Sequence, residues 1–106
     1  MTFNFHDQVV LITGAAGGLG YACAQAFGAA GAKLVITDIS KEPLDKAVEE
    51  LEQAGAEVLG LINDVSDSAD VSAMMSAIVA RFGRLDIAVN NAGTATPLQE
   101  FHEVGE

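Results

Sequence analysis

The run Val9-Val10-Leu11-Ile12-Thr13-Gly14-Ala15-Ala16-Gly17-Gly18-Leu19-Gly20 constrains the fold most, because an apolar strand passes through a glycine-crowded turn into a helix. Gly14 can take backbone angles that a side chain forbids. Gly18 lets the main chain come close to a pyrophosphate, and Gly20 lets the helix pack tightly on the strand. Free N–H groups opening such a helix face an anion, and the helix dipole adds about half a positive charge there. This is the architecture of a phosphate cradle. A glycine-rich turn can also be purely steric, so the rest of the chain has to decide.

Three apolar stripes recur at helical spacing: Leu19, Ala22, Cys23, Ala26, Phe27, Ala30; then Leu44, Ala47, Val48, Leu51; then Val71, Met74, Met75, Ile78, Val79, Phe82. Each ends at a glycine, Gly31, Gly55 or Gly83, where a left-handed cap closes a helix. The strands read Val9 to Ile12, Leu34 to Ile36, Val58 to Ile62 and Leu85 to Val89. They are mostly continuous apolar runs, as expected where both faces of a parallel sheet are covered. Strand and helix alternate throughout. Right-handed crossovers then give an α/β fold, a doubly wound parallel sheet of about four strands in the order 3-2-1-4 with three full helices. Ligands bind such sheets at the switch point, here between the first and fourth strands.

Pro43 suits the first turn of the second helix, with Ser40 as a candidate cap, and Ser66, Asp67 or Ser68 opens the third. Beyond Thr94, Pro97 precedes Leu98, Phe101 and Val104 at helical spacing, which reads as the start of a fourth helix at which the chain stops. No linker or change of composition divides residues 1–106, so one domain is expected.

Five basic residues against fifteen acidic ones give a formal charge of -10, which repels nucleic acid and anionic membranes; neither is an expected partner. The same excess opposes any anionic ligand at long range, so local N–H groups must hold one. No run is long enough to cross a bilayer, and no signal-peptide pattern opens the chain, so a cytoplasmic location is expected. Cys23 is the single cysteine and reads as core filler on the first helix. His6 and His102 read as surface residues, and no ligand spacing suggests a metal. Glu49, Glu50 and Glu52 read as a solvated face, and Arg81 and Arg84 as charges suited to a helix carboxyl end.

Asp38 closes the second strand, where a carboxylate can accept both hydroxyl protons of an adenosine ribose. A 2′-phosphate would meet like charge there, and no arginine in the loop Ile39-Ser40-Lys41 reverses the sign. NAD is therefore the expected cofactor, and NADP fits less well. Asp64 and Val65, after the third strand, suit adenine: the carboxylate can accept from the exocyclic amine while a backbone group reads the ring edge. Asn90-Asn91-Ala92-Gly93 follows the fourth strand, where amides can tie neighbouring strands together and small residues let a cofactor ribose approach.

In order and spacing, Thr13-Gly14-x-x-x-Gly18-x-Gly20, the acid at 38, Asn63-Asp64-Val65 and Asn90-Asn91-Ala92-Gly93 resemble the short-chain dehydrogenase/reductase family over nearly the whole chain. The resemblance implies the Rossmann-like cofactor-binding part of an NAD-dependent oxidoreductase, truncated before the catalytic segment, that interconverts alcohol and carbonyl by hydride transfer. It places Gly14, Leu19 and Gly20 along the pyrophosphate and nicotinamide side, Asp38 on the ribose, Asp64 and Val65 on adenine, and Asn90 beside the cofactor. With Gly18, Ile39, Ala92 and Gly93 these form the expected cofactor-binding set. Family members also use a Tyr-x-x-x-Lys pair, a serine and commonly an asparagine, all downstream. Here the only tyrosine is Tyr21, and Gln25 stands four residues on, so no catalytic residue is assigned.

By the same resemblance, the loops that enclose a small-molecule substrate and the helices that make homo-oligomers belong to a full-length form. The alternatives are a complete non-catalytic dinucleotide-binding module and an inactive truncated remnant. In isolation the fourth strand would present a bare apolar edge, and marginal stability is expected. A methyltransferase with a related sheet is disfavoured by the Thr-Gly start of the turn and by Asn90-Asn91-Ala92-Gly93.

Overall fold

In the computed structural model, which describes residues 5–64 and 67–91, the run ahead of the glycine turn is a strand, β1 (Val9–Thr13), with all five residues buried. The chain continues as α1 (Gly18–Ala29), β2 (Lys33–Asp38), α2 (Lys41–Gln53), β3 (Val58–Ile62), α3 (Ser68–Phe82) and β4 (Ile87–Asn90). The strands pair in parallel in the order β3-β2-β1-β4, as the alternation requires, with Leu11 opposite both Val35 and Ala88. The fold is a Rossmann-like doubly wound sheet. Successive side chains of a strand point to opposite faces. Val10 and Ile12 therefore join Ala24, Leu34, Ile36, Leu44 and Leu51 beneath α1 and α2. Val9 and Leu11 join Val35, Val71, Met74 and Ile78 beneath α3.

The helix stops are glycines in the left-handed region, with φ of 96° at Gly31, 101° at Gly55 and 76° at Gly83. Ala32 N–H returns to the Phe27 carbonyl and Ala56 N–H to the Leu51 carbonyl, each at 3.1 Å, which satisfies carbonyls the helix ends leave open. Asp67 caps α3, accepting from Ala69 N–H at 2.9 Å and Asp70 N–H at 3.4 Å. Ser40 sits at the cap position of α2 but makes no side-chain cap bond. Ser66 and the expected helix beyond Thr94 lie outside the described residues.

Three readings are corrected. On α1 the residues turned inward are Gly20 and Ala24, with Tyr21, Cys23 and Phe27 packed beside them, whereas Leu19, Ala22 and Ala26 are exposed. The helix is apolar nearly all round, so hydrophobicity does not fix its phase; its small residues face inward and let it lie close to the sheet. On α3, Val79 is exposed at the border of an otherwise correct stripe. Strand β4 begins at Ile87 rather than Leu85, because Asp86 is engaged with Val9 just before it. Coverage on both faces holds for the central β1 and β2. Residues of β3 and β4 are largely half-buried, and Ile62 is exposed.

Candidate functional site

The described residues of the site stand at the carboxyl ends of the strands. After β1 the chain turns at Gly14, with φ 63°, and enters α1 through Gly18, with φ 60°. Gly17 before it is extended and gives no side-chain cap, and the first turn of α1 carries no acid. By contrast α2 carries Glu42 in its first turn, and α3 has Asp67 and Asp70 at its start. Among the described residues, no side chain caps the start of α1, whose opening amides lack partners within the helix. Gly20 is buried under the turn: a Cβ there would lie 2.5 Å from the Gly14 carbonyl oxygen and 2.7 Å from Asn91 Nδ2. The close approach made by this glycine is to the turn that follows β1 and to Asn91 just past β4.

The turn is tied to the end of β2. Ala15 N–H donates to the Thr37 carbonyl at 3.1 Å. Ala16 N–H donates to Asp38 Oδ2 at 3.3 Å, while Asp38 Oδ1 accepts from Ile39 N–H at 2.8 Å and Ser40 N–H at 3.4 Å. One carboxylate therefore braces the glycine turn and the β2–α2 loop at once. Lys41, the cation of that loop, is paired with Asp45 at 2.5 Å on the surface of α2. Leu19 and Ile39 are each 72% exposed, so two large aliphatic side chains project at this edge without cover from the described residues.

Thr13 is fully buried and joins β1 to β4. Its hydroxyl accepts from Asn91 N–H at 3.1 Å and donates toward Asn90 Oδ1 at 3.2 Å. Asn91 Nδ2 in turn donates to the Gly14 carbonyl at 3.3 Å. The expected tying of strands by this asparagine pair is thus present, with Thr13 at its centre, a role that the sequence reading did not assign. At the end of β3, Asn63 N–H donates to the Asp38 carbonyl at 3.0 Å, and Asp64 N–H to Asp70 Oδ2 at 3.0 Å. Gly14, Gly18, Gly20, Asp38, Asp64 and Asn90 thereby gather along one edge, with Leu19 and Ile39 exposed beside it. Val65, Ala92 and Gly93 lie outside the described residues.

Tyr21 donates to Glu50 Oε2 across α1 and α2 at 2.7 Å. That hydrogen bond first, then burial and the carboxylate's charge, raises the phenol above its ordinary value. A phenol used in proton transfer near neutrality needs the opposite influence. A cavity of about 290 Å³ between the two helices is lined by Ala16, Tyr21, Pro43, Lys46, Ala47 and Glu50. His6 is exposed and 3.7 Å from the Asp7 carboxylate. No helix among the described residues is long and apolar enough to cross a membrane.

A family model for short chain dehydrogenases matches residues 8–106. Levodione reductase of Leifsonia aquatica is 50% identical over 94 residues, covering 87% of this chain and 35% of that protein. Among solved structures, L-sorbose reductase from Gluconobacter frateurii, complexed with NADPH and L-sorbose, superposes with a TM-score of 0.85 at 35% identity, covering 89% of this chain and 36% of that one. A short chain dehydrogenase/reductase from Burkholderia phymatum in complex with NAD superposes with a TM-score of 0.78 at 40% identity, covering 81% and 31%. The chain therefore spans well under half the length of the relatives it matches.

Proposed function

Since the chain belongs to the short chain dehydrogenase family, we propose that it is the NAD-binding half of an oxidoreductase that interconverts an alcohol and a carbonyl. The observation that carries this reading is the bracing of the glycine turn by Asp38, which sets a carboxylate beside a helix start that no side chain caps among the described residues. In the proposed assignment Gly14, Gly18, Leu19 and Gly20 follow the pyrophosphate and nicotinamide side. Asp38 and Ile39 meet the adenosine ribose, Asp64 and Val65 meet adenine, and Asn90, Ala92 and Gly93 border the nicotinamide ribose. The dinucleotide, when bound, supplies the hydride acceptor or donor.

The residues present fit such a group. Positive φ at Gly14 and Gly18 shapes the cradle, and a neutral turn with a single nearby carboxylate suits a diphosphate next to an unphosphorylated ribose. Relatives include both NAD and NADPH complexes, and the preference for NAD rests on this chain's own charges. Asp38 opposes a 2′-phosphate, and Lys41 is occupied by Asp45. Tyr21 is the single tyrosine, is held by a carboxylate and has Gln25 four residues on, so these 106 residues do not themselves contain a Tyr-x-x-x-Lys pair. The proposed setting is cytoplasmic, and a full-length form can assemble as a homo-oligomer around a small-molecule substrate.

Titration calorimetry of the folded chain with NAD and with NADP tests the reading. Saturable heat with NAD and weaker binding of NADP is the expected result. No heat with either coenzyme would overturn it.

A further inference from the structure

We propose that Asp70, together with Asn63, is a positioning residue for the adenine-facing carboxylate of Asp64, an inference that rests on the dinucleotide reading above. Asp64 stands just past β3 in an exposed loop, a kind of segment that is mobile unless its backbone is tied down. Its backbone is nevertheless held: its N–H donates to Asp70 Oδ2 at 3.0 Å. The preceding Asn63 is only 6% exposed and is fixed on two sides. Its Nδ2 donates to the Asp70 carbonyl at 2.7 Å, and its N–H to the Asp38 carbonyl at 3.0 Å. A continuous chain of hydrogen bonds therefore joins Asp38, the proposed ribose acceptor, through Asn63 and Asp70 to Asp64, the proposed adenine acceptor.

Two details separate this from ordinary helix capping. Asp67 already caps α3, accepting from the amides of Ala69 and Asp70, so a second carboxylate in the first turn is not needed for that purpose. It also adds negative charge beside Asp64 and Asp67 in a chain of net charge -10. In addition, Asn63 Oδ1 is buried with no hydrogen-bond partner, so this amide is held in place by its donor end alone.

The test compares NAD with nicotinamide hypoxanthine dinucleotide, in which an oxygen replaces the exocyclic amine that Asp64 would accept from. Affinities are measured by calorimetry on the parent chain, Asp70→Ala and Asp70→Asn. The parent should favour NAD about tenfold, because a site built to accept from an amine is left unpaired by the analogue. Asp70→Ala should weaken NAD about tenfold and the analogue little, bringing the ratio near unity. Asp70→Asn, whose amide oxygen can still accept from Asp64 N–H, should restore the ratio. Should Asp70→Ala not fold, Asp70→Glu keeps the charge and displaces the acceptor, and carries the same expectation. Loss of both ligands in equal measure, an unchanged ratio, or a parent that does not discriminate would overturn the proposal while leaving dinucleotide binding intact. A parent that binds neither ligand would overturn the dinucleotide reading and this proposal with it.

Discussion

Asp86 grips Val9 from both sides: its carboxylate Oδ2 accepts Val9 N–H at 2.8 Å, and its own N–H donates to the Val9 carbonyl at 3.0 Å. Arg84 holds the other carboxylate oxygen at 2.6 Å. Burial pushes the Asp86 carboxyl up, but the Arg84 hydrogen bond, the Val9 N–H and the guanidinium charge together hold it below its ordinary value of 3.8. A group whose folded value is depressed stabilises the fold above its unfolded value and loses that contribution as pH falls through the folded one. Asp86→Ala strands a buried N–H at Val9 and should cost about 1–3 kcal/mol near neutrality. In urea unfolding followed against pH, the gap between the parent and Asp86→Asn should narrow as pH drops below 3.8.

Which parts of this were legible follows from the range of the interactions. The strands, the glycine stops and the sheet order are written in local periodicity and in residues with special backbone angles, and Gly31, Gly55 and Gly83 fall where they were read. The phase of α1 was not legible, because a helix of glycine, alanine and leucine with few polar positions marks no solvent face. Arg84 reads from sequence as a charge suited to a helix end, yet it serves Asp86 beyond α3. Thr13 and Asn63 were legible only as positions in the motif and Asp70 not at all, since the partner of a buried hydroxyl or amide is chosen by tertiary contact. Asp38 was legible as a carboxylate ending a strand, but not as the brace of the glycine turn.

Thr13→Val removes the hydroxyl at nearly constant volume from a fully buried position. It leaves Asn91 N–H without the hydroxyl that accepts from it and removes the bond that this hydroxyl donates to Asn90 Oδ1. A loss of about 1–3 kcal/mol in urea unfolding is expected, with Thr13→Ser close to the parent. Because Asn91 also holds the Gly14 carbonyl, Thr13→Val should weaken NAD more than its stability loss alone explains, as measured at a temperature where both proteins are fully folded.

Gly17 and Gly20 differ although both lie in the glycine run. A Cβ at Gly17 meets nothing within 4 Å and the residue is extended, whereas one at Gly20 meets the Gly14 carbonyl oxygen at 2.5 Å. That carbonyl belongs to backbone and cannot rotate away. Gly20→Ala should destabilise by about 1–3 kcal/mol and weaken NAD, and Gly17→Ala should leave thermal unfolding nearly unchanged. Equal tolerance at both positions would contradict the packing described for α1.

Tyr21→Phe deletes one hydrogen bond to Glu50 on the surface of the helix pair, so a change in stability of no more than about 1 kcal/mol is expected, with NAD binding retained. In a spectrophotometric titration the phenol should ionise above its ordinary value of 10.0, and Glu50→Gln should bring it back toward that value. The raised value means that the neutral phenol is the stabilised form. Its contribution is present below pH 10.0 and disappears as pH rises through the folded value.

Asp38 carries two roles that substitution can separate. As a brace it accepts from Ala16, Ile39 and Ser40 N–H groups; as a charge it opposes a 2′-phosphate. Asp38→Asn removes the charge but keeps one acceptor oxygen, enough for the Ala16 side of the brace or the Ile39 and Ser40 side and not for both, whereas Asp38→Ala removes the charge and both acceptors. If the charge selects the coenzyme, both variants should narrow the preference for NAD over NADP by about tenfold, and Asp38→Ala, which loses both sides of the brace, should lower the unfolding midpoint more than Asp38→Asn, which loses one. If the carboxylate were only a brace, Asp38→Asn would leave the ratio of the two coenzymes where it stands in the parent. Calorimetric titration of the three proteins with each coenzyme distinguishes these outcomes. Equal affinities in the unmutated chain would remove the basis for assigning the ribose to this residue.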